Sequence, residues 1–182
     1  MEEQQSPFQA AIKPGVTMGL VSLAATFIAY FIDSALLASG WFALVVLVIL
    51  FSLIIYFGKQ YRTEIGGFMT FGTAFNFSFI AILISGMVGL IGQILLFQVI
   101  DPELASVLAD LTYQSQLSFM EKIGQNPDNI DPSVLQQMKE SSESQFTLAG
   151  QLKAFGIGII IYAIIALILG AILKKKDKSL EF

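Results

Sequence analysis

DPELASVLADLTYQSQLSFMEKIGQNPDNIDPSVLQQMKESSESQFTLAG, residues 101–150, is the one long polar stretch in an otherwise apolar chain. It holds eight carboxylates and only two lysines, Lys122 and Lys139. Apolar runs lie on either side of it, at 68–100 and 152–173, and two more precede them at 15–37 and 41–58. A bilayer core of roughly 30 Å needs about 20 apolar residues from a helix, so each run reads as a span. The chain is 182 residues long, 55% hydrophobic and 13% charged, which leaves too little polar surface for a soluble domain. The expected fold is an all-α membrane protein: four transmembrane helices with an extracytoplasmic helical hairpin between helices 3 and 4.

Working outward from the acidic block, charge sets the orientation. Lys13, Lys59, Arg62 and the four C-terminal lysines fall in one set of gaps, and Lys122 and Lys139 in the other, with Lys153 near a boundary. Positive charge close to the spans stays in the cytoplasm. Both termini are therefore expected inside: a tail at 1–14, a loop at 59–67 and a basic tail at 174–182. The block at 101–150 is expected outside. A lysine before the first apolar run also invites a signal-peptide reading. The run is long for one, contains Asp33 and lacks a small-x-small cleavage site, so it is expected to remain as a span.

Asp101-Pro102 and Asp131-Pro132 each place a capping carboxylate before a proline suited to the first helical position. With a breaker at Gly124 to Asn129, they predict helices over 102–124 and 132–150. Both apolar stripes are interrupted by polar residues. The hairpin's own core is thus thin, and it needs the spans, a second copy or a partner. Gly150 and Gly156 leave open whether its second helix continues into the last span. The run at 68–100 would reach roughly 50 Å at about 1.5 Å per residue, so it must tilt, bend or protrude. Gly86, Gly89 and Gly92 are the natural bends.

Small residues line one face of the first span (Gly15, Gly19, Ser22, Thr26, Ala29) and of the third (Thr70, Ala74, Ser78, Ala81, Ser85, Gly89, Gly92). Such faces let helix backbones approach, and bundle packing is preferred here over a substrate groove. Asp33 continues the first face and should turn into the bundle. An ionisable group in a span is a functional candidate, although at this depth water could also solvate it. Asn76 and Gln93 read as interhelical hydrogen-bond partners.

Chemistry is sparsely provided. There is no cysteine and no histidine, which removes thiolates, disulfides, the commonest general base and the commonest metal ligand. No Asp-x-Asp-x-Asp-Gly loop, phosphate loop or nucleophile elbow occurs. We expect no enzyme, no cofactor, no metal and no nucleic-acid partner. The most distinctive local pattern is Tyr61-Arg62 followed by Gly66-Gly67. The basic residues suit anionic headgroups and the glycines permit a turn; docking of a cytoplasmic protein is the weaker alternative.

Tyr61-Arg62, then Gly66-Gly67-Phe68-Met69-Thr70-Phe71-Gly72, then a long apolar run ending near Asp101-Pro102, resembles domain-of-unknown-function family 4199, a group of uncharacterised bacterial membrane proteins. The resemblance extends from Pro14 to the terminal lysines. It implies a four-helix inner-membrane protein with an extracytoplasmic segment before the last span. It brings no activity and no catalytic residue. The leading expectation is a non-enzymatic assembly or interaction protein that works through its hairpin in the lipid bilayer. The alternative is a homo-oligomeric small transporter or channel subunit using Asp33 and the small-residue faces.

Overall fold

The computed structural model describes residues 5–176, so the first four residues of the expected tail and 177–182 of the basic tail lie outside the described residues. Six α-helices follow in order: α1 (Pro7–Ile32), α2 (Gly40–Glu64), α3 (Phe71–Leu95), α4 (Pro102–Lys122), α5 (Pro132–Ser144) and α6 (Leu148–Leu173). Among the described residues there is no strand, only an isolated bridge between Met69 and Lys175. Four stretches are long and apolar enough to cross a membrane: α1, α2, α6, and α3 with the turn that follows it. The chain is an integral membrane protein.

Helix ends depart from the sequence expectation where local hydrogen bonding overrides composition. The first helix begins at Pro7 rather than at 15. Ser6 Oγ accepts from the Gln9 N–H, and Gln9 Oε1 accepts from the Ser6 N–H, each at 3.3 Å. This reciprocal cap, with proline at the first position, starts the helix early, and Pro14 is carried inside it. Instead of continuing to 37, α1 stops at Ile32, and Ser34–Ala38 form a 3₁₀ turn. The expected loop at 59–67 is mostly helix, because α2 runs on to Glu64.

The long third run does not break at Gly86, Gly89 or Gly92. It stays helical to Leu95, then widens into a π turn over Leu96–Ile100, closed by the Asp101 N–H donating to the Leu96 carbonyl at 2.8 Å. The Asp-Pro pairs act as read: Asp101 accepts from the Leu104 N–H (3.1 Å) and Asp131 from the Ser133 N–H (2.8 Å). The helix expected over 132–150 ends at Ser144, however, and Thr147 Oγ1 caps α6 by accepting from the Gly150 N–H at 3.0 Å. α5 and α6 are therefore separate helices.

The chain divides into two compact units. The first comprises the described residues of Met1–Ala25, Leu44–Gly89 and Gly156–Phe182. Its core gathers Ala11, Met18, Ile54, Tyr61, Ala74, Phe77, Ala81, Leu169 and Leu173. Lipid tails are as apolar as leucine, so close van der Waals fit rather than escape from water must hold these helices together. Gly15 and Gly19 of α1 supply that fit. A Cβ on Gly15 would stand 2.8 Å from the Ala81 carbonyl, and one on Gly19 would stand 2.5 Å from Val88 Cβ. The small-residue faces of α1 and α3 thus meet, as their spacing predicts.

The second unit comprises Thr26–Ala43 and Leu90–Phe155. Leu104 and Leu108 of α4 bury against Leu96, Phe97, Phe27, Tyr30 and Leu37. α4 also contacts α5. Each leucine fully buried from water contributes about 1.5–3 kcal/mol. The thin stripe of α4 is therefore supported by residues of α1, of the 3₁₀ turn after it and of the π turn after α3. α5 has less: Ser142 is its one buried residue.

Candidate functional site

The pattern Tyr61, Arg62, Gly66 and Gly67 occupies one end of the first unit, and each residue there has a structural partner. Gly66 and Gly67 have φ of 100° and 85°, a region in which a side chain is strained. The Gly67 N–H donates to the Arg62 carbonyl (2.8 Å) and the Gly66 N–H to the Thr63 carbonyl (3.2 Å), which closes α2 with paired bonds. The chain then reverses into α3, whose first N–H groups are capped by Thr70 Oγ1, accepting from the Thr73 N–H at 3.2 Å.

Tyr61 is buried, stacked on Phe77 with ring centroids 5.0 Å apart. Its hydroxyl donates to the Gln5 carbonyl at 3.0 Å, which ties the end of α2 to the residues before α1. The Arg62 guanidinium donates to the Leu173 carbonyl at 3.1 Å, at the last residue of α6. Met69 and Lys175 exchange backbone bonds of 3.0 and 2.8 Å, and Lys175 Nζ stands 5.6 Å from the Phe68 ring centroid. The ends of four helices are thus joined by named polar contacts. Beside them opens a pocket of about 360 Å³, lined by Gln5, Ser6, Pro7, Tyr61, Ile65, Phe68, Met69, Thr70 and Thr73.

Asp33 lies in the second unit, and its environment differs from the sequence expectation. The residue is exposed rather than turned into a bundle. Its backbone is extended (φ −162°, ψ 112°) and its carboxylate accepts from the Ala35 N–H at 2.9 Å, starting the 3₁₀ turn. A short acceptor that can cap a turn ends the helix before the small-residue periodicity reaches it. Asn76 and Gln93 likewise occupy exposed positions rather than helix interfaces.

The second unit contains a carboxylate that sequence reasoning placed only as a cap. Asp101 accepts from the Leu104 N–H through Oδ1 and, through Oδ2, from the Tyr30 hydroxyl at 3.1 Å. Tyr30 carried no signal, because nothing in local spacing pairs residues so far apart. Outside the spans, the Asp131 carboxyl is held below the usual carboxylate range, first by the Ser133 hydroxyl and then by the Ser133 N–H. Among the described residues no group of three or more His, Cys, Asp or Glu side chains could hold a metal ion.

The family described as Protein of unknown function (DUF4199) matches residues 13–175. The chain belongs to this family. No curated protein and no solved structure matches it. The DUF4199 match spans the whole helix-end junction except Gln5 and the cap of α1, together with Asp33, Asp101 and all of α4 and α5.

Proposed function

We propose that this DUF4199 protein is a non-enzymatic interaction protein of a bacterial inner membrane. In this reading both termini are cytoplasmic, and α4 and α5 form an extracytoplasmic hairpin that docks another protein. One observation carries the reading. Phe119 and Ile123, four residues apart at the end of α4, are 63% and 57% exposed in a segment too polar to enter the bilayer. Apolar side chains left open on a water-facing helix mark a contact surface. Glu121 and Asp128 lie near them in sequence, and the block from 101 to 150 holds eight carboxylates against two lysines. That balance repels a second copy and favours a basic partner with an apolar anchor.

The transport alternative lacks support of this kind, since Asp33 is exposed and committed to its turn. The test uses a photocrosslinking residue at position 119, with Gln114, also exposed, as control. The expected result is one adduct of defined mass from 119 that disappears with Ile123→Asp and weakens with Glu121→Lys. Equal diffuse adducts from both positions, or adducts with the chain itself alone, would refute the reading. Because the chain has no cysteine, single cysteines at 119 and 59 also report sidedness. An impermeant maleimide should label the first and spare the second in intact cells.

A further inference from the structure

The pocket beside the helix-end junction shares no residue with the partner surface of α4. Its volume of about 360 Å³ is within the range of small-molecule sites. Its walls combine apolar groups (Ile65, Phe68, Met69) with hydroxyls (Ser6, Thr70, Thr73). The Thr70 and Thr73 hydroxyls face each other at 2.9 Å, and such a pair uses one hydroxyl hydrogen. The other remains available to an acceptor.

A cation stands nearby, on a residue that does not itself line the pocket. Lys175 is held by two backbone bonds to Met69 and stands over the ring of Phe68, both of which line the pocket. The pocket also lies where α1 and α3 begin and α2 ends, at the ends of three helices long and apolar enough to cross a membrane. Phe8 and Phe71, next in the chain to the lining residues Pro7 and Thr70, are exposed and could accept acyl chains. A hydroxyl-bearing cavity with an ammonium beside one of its lining rings and flanking apolar surface matches an anionic amphiphile. We propose that this pocket binds the phosphate headgroup of an anionic phospholipid, with Lys175 as its counter-charge.

The test places the full chain in nanodiscs of phosphatidylcholine alone or with phosphatidylglycerol. It reads lipid retained after ejection by native mass spectrometry, together with the thermal unfolding midpoint. One phosphatidylglycerol should be retained per chain and raise the midpoint. Thr73→Leu, which fills the pocket, should abolish retention. Lys175→Gln should weaken it about fivefold, the effect of one close charge at a membrane surface. Lys174→Gln and Lys176→Gln remove the same charge from neighbouring positions and should have smaller effects. Equal losses from all three lysine variants would show a diffuse basic patch and overturn the pocket. So would the absence of any preference for phosphatidylglycerol. If inorganic phosphate added to phosphatidylcholine nanodiscs reproduced the stabilisation, the ligand would be a free anion and the lipid assignment would fall.

Discussion

Arg62, two residues before the end of α2, donates a 3.1 Å hydrogen bond from its guanidinium to the carbonyl oxygen of Leu173, the last residue of α6. Helix C-termini present unpaired carbonyls and a partial negative charge, so a cation placed there satisfies both. The two residues are 111 positions apart, and the bond fastens the end of one span to the end of another.

Arg62→Ala should therefore destabilise the protein by about 1–3 kcal/mol, the range of a hydrogen bond to a charged group. Arg62→Lys keeps the charge but loses the planar fork and should recover only part of this. Unfolding curves of both variants in one detergent check the order. Equal stability of Arg62→Ala and wild type would refute it.

Gly19 sets how closely α1 approaches α3. Gly19→Ala should cost about 1–3 kcal/mol, because Val88 must give way or the helices must part. Gly89→Ala is the matched control: nothing lies within 4 Å of the added carbon. Thermal unfolding should separate the two variants clearly, with Gly89→Ala close to wild type.

Gly66 and Gly67 both have positive φ in the turn from α2 to α3. Alanine at either should cost about 1–2 kcal/mol from the backbone alone, since open space surrounds both positions. Asparagine tolerates this region better and should cost less. If alanine and asparagine proved equally damaging, the cause would be something other than backbone conformation.

Tyr30→Phe removes one of two bonds to the Asp101 carboxylate, and Asp101→Ala removes both, the second being the α4 cap. Amide exchange over residues 102–108 should rise modestly in the first variant and more in the second. Equal exchange in both would argue against the Tyr30 contact.

Asp131 predicts a pH response confined to the start of α5. Its carboxyl titrates below the usual range because the Ser133 hydroxyl and N–H favour the ionised form. Its contribution is thus complete above the unfolded-state value and is lost as pH falls through the lower folded value. Protection at residues 133–135, corrected for the intrinsic exchange rate at each pH, should fall only in acid, and Asp131→Asn should flatten the response.

Local chemistry in the sequence located the starts of α4 and α5. Asp101-Pro102 and Asp131-Pro132 were legible because a cap needs only its own neighbours. Ser6-Pro7-x-Gln9 is the same kind of signal, and it marks the start of α1 that the apolar run alone places at 15. The ends of α1 and α5 were less legible. Asp33 follows the small-residue spacing yet terminates the helix, and the apolar content near 148 hides a break at 145–147.

Composition alone determined that four runs can span a bilayer, that the block at 101–150 cannot, and that histidine and cysteine chemistry is absent. The 3.6-residue period determined which faces of α1 and α3 are small, because a single helix carries that information in its own spacing. Only the tertiary structure decided that Tyr61 reaches Gln5, that Arg62 reaches Leu173, that Lys175 reaches Met69, and that Tyr30 reaches Asp101. These contacts join residues distant along the chain. Each side chain could satisfy its polar groups in many ways, and the packing of the helices left one.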